Sequence, residues 1–249
     1  MDGSSPWTQQ AIDKFFAARE YPTRSECDDH ACKITGATAV QQVAVPGSLS
    51  YTVHCRDFPY EERDLVPVDP EAQADFRKRV YRQLMKIKTS APSTLSCTQI
   101  IDLECSLPIL FGQAYPQVLT HNDLSQTNVL INEETFEITG IVDWSLAEVQ
   151  PFGMELDSLL LATGYMDLNG WHNYTCRLQM LNAFWDEFWV RCQIHDDRCQ
   201  REIRASAMQA AKIGAVLHYA FQRNANGSPS EELTTSKWAL KTLSALLMG

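Results

Sequence analysis

The chain has 249 residues, of which 45% are hydrophobic, 10% aromatic and 21% charged. That is enough apolar mass for one or two cored domains, and more than a disordered chain carries. Its 21 basic and 31 acidic residues leave a formal charge of −10, which repels polyphosphate and anionic lipid, so neither nucleic-acid binding nor attachment to a membrane surface is expected.

The N-terminal stretch contains Asp2 and Asp13 and no apolar run, so it does not read as a secretory signal. The uncharged part of 105–120 is interrupted by Pro108, Gly112, Gln113 and Pro116 and is too short to span a bilayer. The expected setting is cytoplasmic. There the sequons at Asn173 and Asn226 have no use. The eight cysteines, scattered without a CxxC pair, are expected as free and mostly buried thiols.

Residues 7–35 read as helical, with Ala11, Phe15, Phe16 and Ala18 on one face and a break at Pro22. A second helix begins at Thr23 or Ser25, with Glu26 in its first turn. The period then changes. Val40, Val43 and Val45, followed by Tyr51 and Val53, alternate on either side of Pro46-Gly47, which predicts a hairpin over 38–55. Residues 56–69 form a charged connector with Pro59 and Pro67. A domain boundary is expected there, between 1–69 and 70–249.

Phe76, Val80, Leu84 and Ile87 fall on one helical face over 70–88, and a polar linker follows over 89–98. Val118-Leu119-Thr120 reads as a strand ending at His121, 128–132 as a second strand, 133–135 as a turn and 136–142 as a third strand. From Asp157 onward the pattern is helical, with long amphipathic segments over 178–192, 202–223 and 236–248.

The chemistry is concentrated in His121-Asn-Asp-Leu-Ser-Gln-Thr-Asn128 and Gly140-Ile-Val-Asp143-Trp144. Asp123 follows a strand, Asn128 opens the next, and Asp143 closes the one after. A hairpin joining Asn128 to Asp143 lets its two ends face one cleft. A carboxylate and an amide oxygen are hard ligands of the kind Mg²⁺ takes beside substrate phosphates. A separate carboxylate, Asp123, is left to accept or orient a hydroxyl proton. Phosphoryl transfer requires this division of labour.

H-x-D-x-x-x-x-N followed by a strand, a turn and I-V-D-W resembles the catalytic core of aminoglycoside phosphotransferases and choline kinases, small-molecule relatives of the protein kinases. The run from Asp143 to Gly153 is similar to fungal members of that group. The resemblance spans about 118–165. It implies an α+β, protein-kinase-like fold with a mostly helical C-terminal lobe. It also implies a kinase using ATP and Mg²⁺ on a hydroxyl of a small-molecule acceptor. By the same resemblance Asp123 is the catalytic residue, Asn128 and Asp143 are the metal ligands, and His121 buttresses the loop through its backbone and the Asp143 region. Trp144 stands where protein kinases carry Phe.

The family also uses a small-lobe lysine on its third strand to hold the α/β-phosphates. Between Lys33 and Lys78 this chain has no lysine; Lys33 precedes the hairpin and Lys78 falls on a helix. Arg56 is nearest in order, and a guanidinium is not a simple substitute for an ammonium. The small lobe therefore reads as truncated at the 56–69 connector, through loss of an internal coding segment or in a true shortened relative. The second functional reading is a catalytically impaired, pseudokinase-like binding or scaffold protein.

Four further features lie outside the motif. Phe184, Trp185, Phe188 and Trp189 lie at helical spacing and read as packing ahead of a ring-stacking pocket. Cys192, His195 and Cys199 share a helical face but offer three ligands where structural zinc takes four. Pro46-Gly47-Ser48 reads as a plain hairpin turn. Glu155, Asp157, Asp186 and Glu187 could suit a cationic acceptor, and solvated helix faces account for them equally well.

Overall fold

The computed structural model describes residues 10, 13, 16–17, 23–35, 38–42, 53–56, 69–90, 96–224 and 229–248. The chain divides into two compact units, one of residues 1–65 and 125–145 and the other of 66–124 and 146–249. Segment 125–145 thus groups with the N-terminal residues, while the sequence on either side of it builds the second unit.

In the first unit, helix α1 (Arg24–Thr35) begins as its sequence predicts. The Thr23 N–H donates to Glu26 Oε2 at 2.8 Å, and the Glu26 N–H returns to Thr23 Oγ1 at 3.4 Å, a reciprocal cap. Strand β1 (Ala39–Gln42) pairs antiparallel with β2 (Val53–Arg56), placing Val40 opposite Cys55. The expected hairpin is present in its outer part. Val43, Val45, the Pro46-Gly47-Ser48 turn and Tyr51 lie outside the described residues, as do most of the 7–22 helix and the connector from 57 to 68.

The same unit contains the hairpin of β4 (Val129–Ile131) and β5 (Ile138–Ile141), with Val129 opposite Ile141. Its turn is built by Asn132, whose Oδ1 accepts the N–H groups of Glu134 and Thr135 at 2.8 and 3.2 Å. Phe136 takes a left-handed φ of 58° there, which is why the strand starts at Ile138 and not at Phe136.

The second unit is mostly helical. Helix α2 (Pro70–Ser90) buries Phe76, Val80, Leu84 and Ile87, the face its period predicts. Helix α3 (Cys97–Leu110) occupies a stretch the sequence reading left without an element. Ser96 and Gln99 form a full capping box at its start, and Ile100, Leu103, Leu107 and Leu110 are buried. Both signals are in the sequence; Pro108, in the last turn, obscures them.

Strand β3 (Gln117–Thr120) pairs antiparallel with β6 (Glu148–Pro151). Next come α4 (Leu156–Leu161), the hairpin of β7 (Gly164–Met166) and β8 (Trp171–Asn173), α5 (Arg177–Arg191) and α6 (Asp197–Tyr219). The hairpin of β9 (Phe221–Arg223) and β10 (Pro229–Leu233) and helix α7 (Lys237–Met248) complete the unit. The expectation of a helical chain from Asp157 onward therefore fails at two hairpins. Strand β9 takes over where helix was predicted to continue to 223, because pairing with β10 supplies its backbone partners.

Helix α6 is the centre of this unit. Ala207, Ala210, Ala211, Ile213, Ala215 and Val216 are all fully buried. Small side chains let the 153–154 turn approach the helix closely. A Cβ on Gly214 would collide with the Met154 carbonyl, and one on Gly153, at φ +99°, would lie 2.6 Å from the Ala207 carbonyl. The aromatic stripe of α5 is packing: Trp185 and Trp189 are buried with Ala207, and Phe184 and Phe188 lie against them. The seven cysteines with described side chains are all free, and none is buried, against expectation. Among the described residues no helix is long and apolar enough to cross a membrane.

Candidate active site

His121, Asn122, Asp123 and Leu124 leave β3 as a loop of the second unit, and that loop is tied down at nearly every polar position. Glu155, just ahead of α4, supplies most of the hold. Its Oε2 accepts the His121 N–H at 2.8 Å and its Oε1 accepts the Leu124 N–H at 3.0 Å. One carboxylate thus brackets the loop through charge-assisted bonds, each worth about 1.5–3 kcal/mol. Ser158, in the first turn of α4, donates to the Leu124 carbonyl at 2.7 Å. The close approach of the 153–154 turn to α6 fixes Glu155 in turn.

His121 is 2% exposed, and its Nδ1 accepts the N–H of Asp123 at 3.3 Å. The loop thus gains a bond to this ring as well as to Glu155. Asn122 has a left-handed φ of 65°, a conformation few side chains other than Asn tolerate. That turn sets the direction in which Asp123 leaves the loop. The Asp123 carboxylate is 42% exposed, and its Oδ1 accepts from Arg223 of β9 at 3.0 Å. An ion pair this open adds little stability, so its consequence is orientation. Arg223 also lines an open polar cleft of about 480 Å³ with Gln222, Asn224, Ser230, Glu231 and Glu232.

Beneath the loop lies a buried pair. His218, near the end of α6, meets Asp157 of α4 through Nδ1 and Oδ2 at 2.7 Å, and Asn122 through Nε2 and Oδ1 at 3.3 Å. Burial on its own would push the imidazole pKa down, but the adjoining Asp157 carboxylate overrides it and the net shift is upward. The neighbouring Tyr219 hydroxyl is pushed up to about 12, by burial first and by the Asp157 charge second.

The two residues read as metal ligands, Asn128 and Asp143, belong to the first unit and stand at one end of the β4–β5 hairpin. The Val142 N–H donates to the Asn128 carbonyl at 2.9 Å, and Asp143 is the residue after Val142. Asp143 has φ 64°, which turns the chain sharply out of the strand. Its Oδ1 accepts from the Ser145 hydroxyl at 2.8 Å. An amide oxygen and a carboxylate at one hairpin end suit a hard divalent cation. Trp144 donates from its indole N–H to the Ile141 carbonyl at 2.9 Å and is 45% exposed.

The sequence reading missed Ser158, His218 and Arg223. It noted Glu155 and Asp157 only as acidic residues that could suit a cationic acceptor. Their local sequence carries no motif, and they meet the loop only through the packing of α4, α6 and β9. Lys78 stands on α2 as predicted, exposed, with its Nζ 2.9 Å from Asp75. Among the described residues no three His, Cys, Asp or Glu side chains form a metal-ligand cluster, at Cys192, His195 and Cys199 or elsewhere.

No curated protein matches the chain. The model of the phosphotransferase enzyme family matches residues 59–179, a span that contains His121, Asp123, Asn128, Asp143 and Glu155. The match agrees with the resemblance carried by the H-x-D-x-x-x-x-N and I-V-D-W motifs. Over this segment, catalytic loop included, the chain is similar to the phosphotransferase enzyme family.

Proposed function

We propose that this protein transfers a phosphoryl group from ATP to a hydroxyl of a small molecule, with Asp123 orienting that hydroxyl and Asn128 and Asp143 holding Mg²⁺. The observation that carries the reading is the loop 121–124. Its backbone N–H groups are held by one Glu155 carboxylate, while the Asp123 side chain is left accessible. A base that must meet an incoming hydroxyl needs both a fixed backbone and an open carboxylate.

In this mechanism Mg²⁺ neutralises charge on the transferring phosphate when it is bound. The chain's own residues do the rest. Asp123 takes the hydroxyl proton, Arg223 holds the carboxylate oriented until an acceptor arrives, and Glu155 keeps the loop from moving. The polar cleft beside Arg223 is the approach for a hydrophilic acceptor. The protein-kinase-like fold, with a shortened small lobe over 1–69 and the large lobe over 70–249, belongs to the same proposal, as does a cytoplasmic setting.

A specific observation favours the second reading, a pseudokinase-like binding protein. No lysine lies between Lys33 and Lys78, and Lys78 is engaged with Asp75 on an exposed helix face. Thermal shift with Mg·ATP separates the two. Mg²⁺-dependent stabilisation that disappears in Asp143→Ala, together with turnover on a panel of hydroxylated acceptors, supports the transferase. The absence of any Mg²⁺-dependent shift, or an equal shift in the variant, sinks it. Stabilisation without turnover on any acceptor favours the binding protein.

A further inference from the structure

The loop that carries Asp123 is held from a second side, by the segment that closes α6 and opens β9. Arg223 reaches Asp123, and five residues earlier His218 reaches Asn122. His218 is not part of the motif, is nearly buried, and has an acceptor oxygen at each ring nitrogen: Asp157 Oδ2 at Nδ1 and Asn122 Oδ1 at Nε2. Only the imidazolium has a proton for each of them. Among the described residues the other Asp157 oxygen, Oδ1, is buried with no hydrogen-bond partner, so the contact with His218 is where this carboxylate meets a side chain that can carry positive charge.

We propose that His218 is a positioning residue for the catalytic loop: as the imidazolium it bridges Asp157 to Asn122, and thereby fixes the left-handed turn that presents Asp123. The proposal rests on the phosphotransferase reading for its catalytic consequence, but not for its structural content. The charged groups that face the ring are Asp157 of α4 and Glu155 just before it, which favour the imidazolium, and Arg223 of β9, which opposes it. Tyr219, on the same helix, presents its ring edge-on at 6.3 Å and is neutral over the working range. When the ring loses its proton, one of its two bonds is lost. The weaker one, to Asn122, is the bond released. Asn122 is then free to leave its left-handed conformation, and Asp123 moves with it.

The test follows the ring nitrogens of His218 and the backbone amides of Asn122 and Asp123 by NMR across pH 5 to 10, in the full chain. Two variants accompany it. His218→Gln keeps the size and one donor but cannot titrate; Asp157→Asn keeps His218 but removes its counter-charge. The expected result is a single co-titration of the ring and both amides in the wild type. The step is absent in His218→Gln and moves down by about one pH unit or more in Asp157→Asn. A neutral ring at pH 6 with the Asn122 amide turned to donate to it, loop amides that do not follow the ring, or a step that survives in His218→Gln would each overturn the proposal. Mg·ATP turnover provides the catalytic arm: kcat falls through the same midpoint while KM for ATP stays flat, and the basic limb is lost in His218→Gln. A wild type without turnover at any pH counts against the phosphotransferase reading, and the co-titration still decides the role of His218.

Discussion

The loop 121–124 and the hairpin 129–141 carry the two halves of the proposed chemistry, and they are held in opposite ways. The loop is short and irregular, yet Glu155, Ser158, His218 and Arg223 reach it from three elements distant in sequence. The hairpin is regular, and local bonds hold its strands and turn: its own ladder, the Asn132 turn and the Ser145–Asp143 bond. Ile131, Phe136 and Ile138 on it are more than half exposed. The proposed base, which would hold one angle to a hydroxyl, sits on a loop fixed by tertiary contacts, whereas the proposed cation ligands would need only to share one end of a hairpin. Irregular backbone has no ladder of its own to fall back on, so its stiffness has to come from elsewhere.

This contrast can be broken at several points. Removing the base is expected to have the largest effect: Asp123→Ala lowers Mg·ATP-dependent turnover by about 10²–10⁴-fold, as loss of a positioned proton acceptor does, with little change in melting temperature. Turnover within tenfold of wild type would remove Asp123 from the chemistry. Next is the clamp. Glu155→Ala frees two loop N–H groups and is expected to cost about 3 kcal/mol in urea unfolding, a loss that no substitution on the hairpin face should match. If Phe136→Ala costs as much, the loop is not the more tightly tied region. Gly214→Ala tests the packing behind the clamp. A methyl at that position meets the Met154 carbonyl, so a loss of about 1–3 kcal/mol is expected, together with faster amide exchange at 121–124.

A smaller effect is expected from pH. The folded pKa of His218 is raised, so its contribution to stability is complete below the unfolded value of about 6.5 and is lost as pH rises through the folded value. Wild type should therefore lose more stability than His218→Gln between pH 6 and 9, read as the difference between their unfolding midpoints. Equal losses would show that folding does not raise the pKa of His218. The smallest effect belongs to Lys78→Ala, which removes an exposed i,i+3 pair with Asp75. Unfolding free energy should stay within about 0.5 kcal/mol, and Mg·ATP binding should not change. Lost nucleotide binding would make Lys78 the missing phosphate-holding cation.

Much of this was legible in the chain order alone. The motif residues His121, Asp123, Asn128 and Asp143 lie within 23 residues, so their strand, loop and hairpin setting could be read from local periodicity and turn chemistry. The capped start of α1, the buried face of α2 and the packing stripe of α5 followed from the same local rules. Helix α3 carries an equally local signal in its Ser96–Gln99 box, although the sequence reading assigned no helix there.

The sequence by itself determined which residues are candidates for the proposed chemistry, because type and spacing along a short stretch decide what a loop and a hairpin can hold. Tertiary structure alone decided what holds the base in place. Glu155 stands 34 residues from His121, Arg223 stands 100 from Asp123, and His218 stands 96 from Asn122. No periodicity or turn preference connects positions so far apart. The connection exists only because Gly214 and the buried alanines of α6 let the 153–154 turn settle against that helix, and because β9 leaves it one residue after its end.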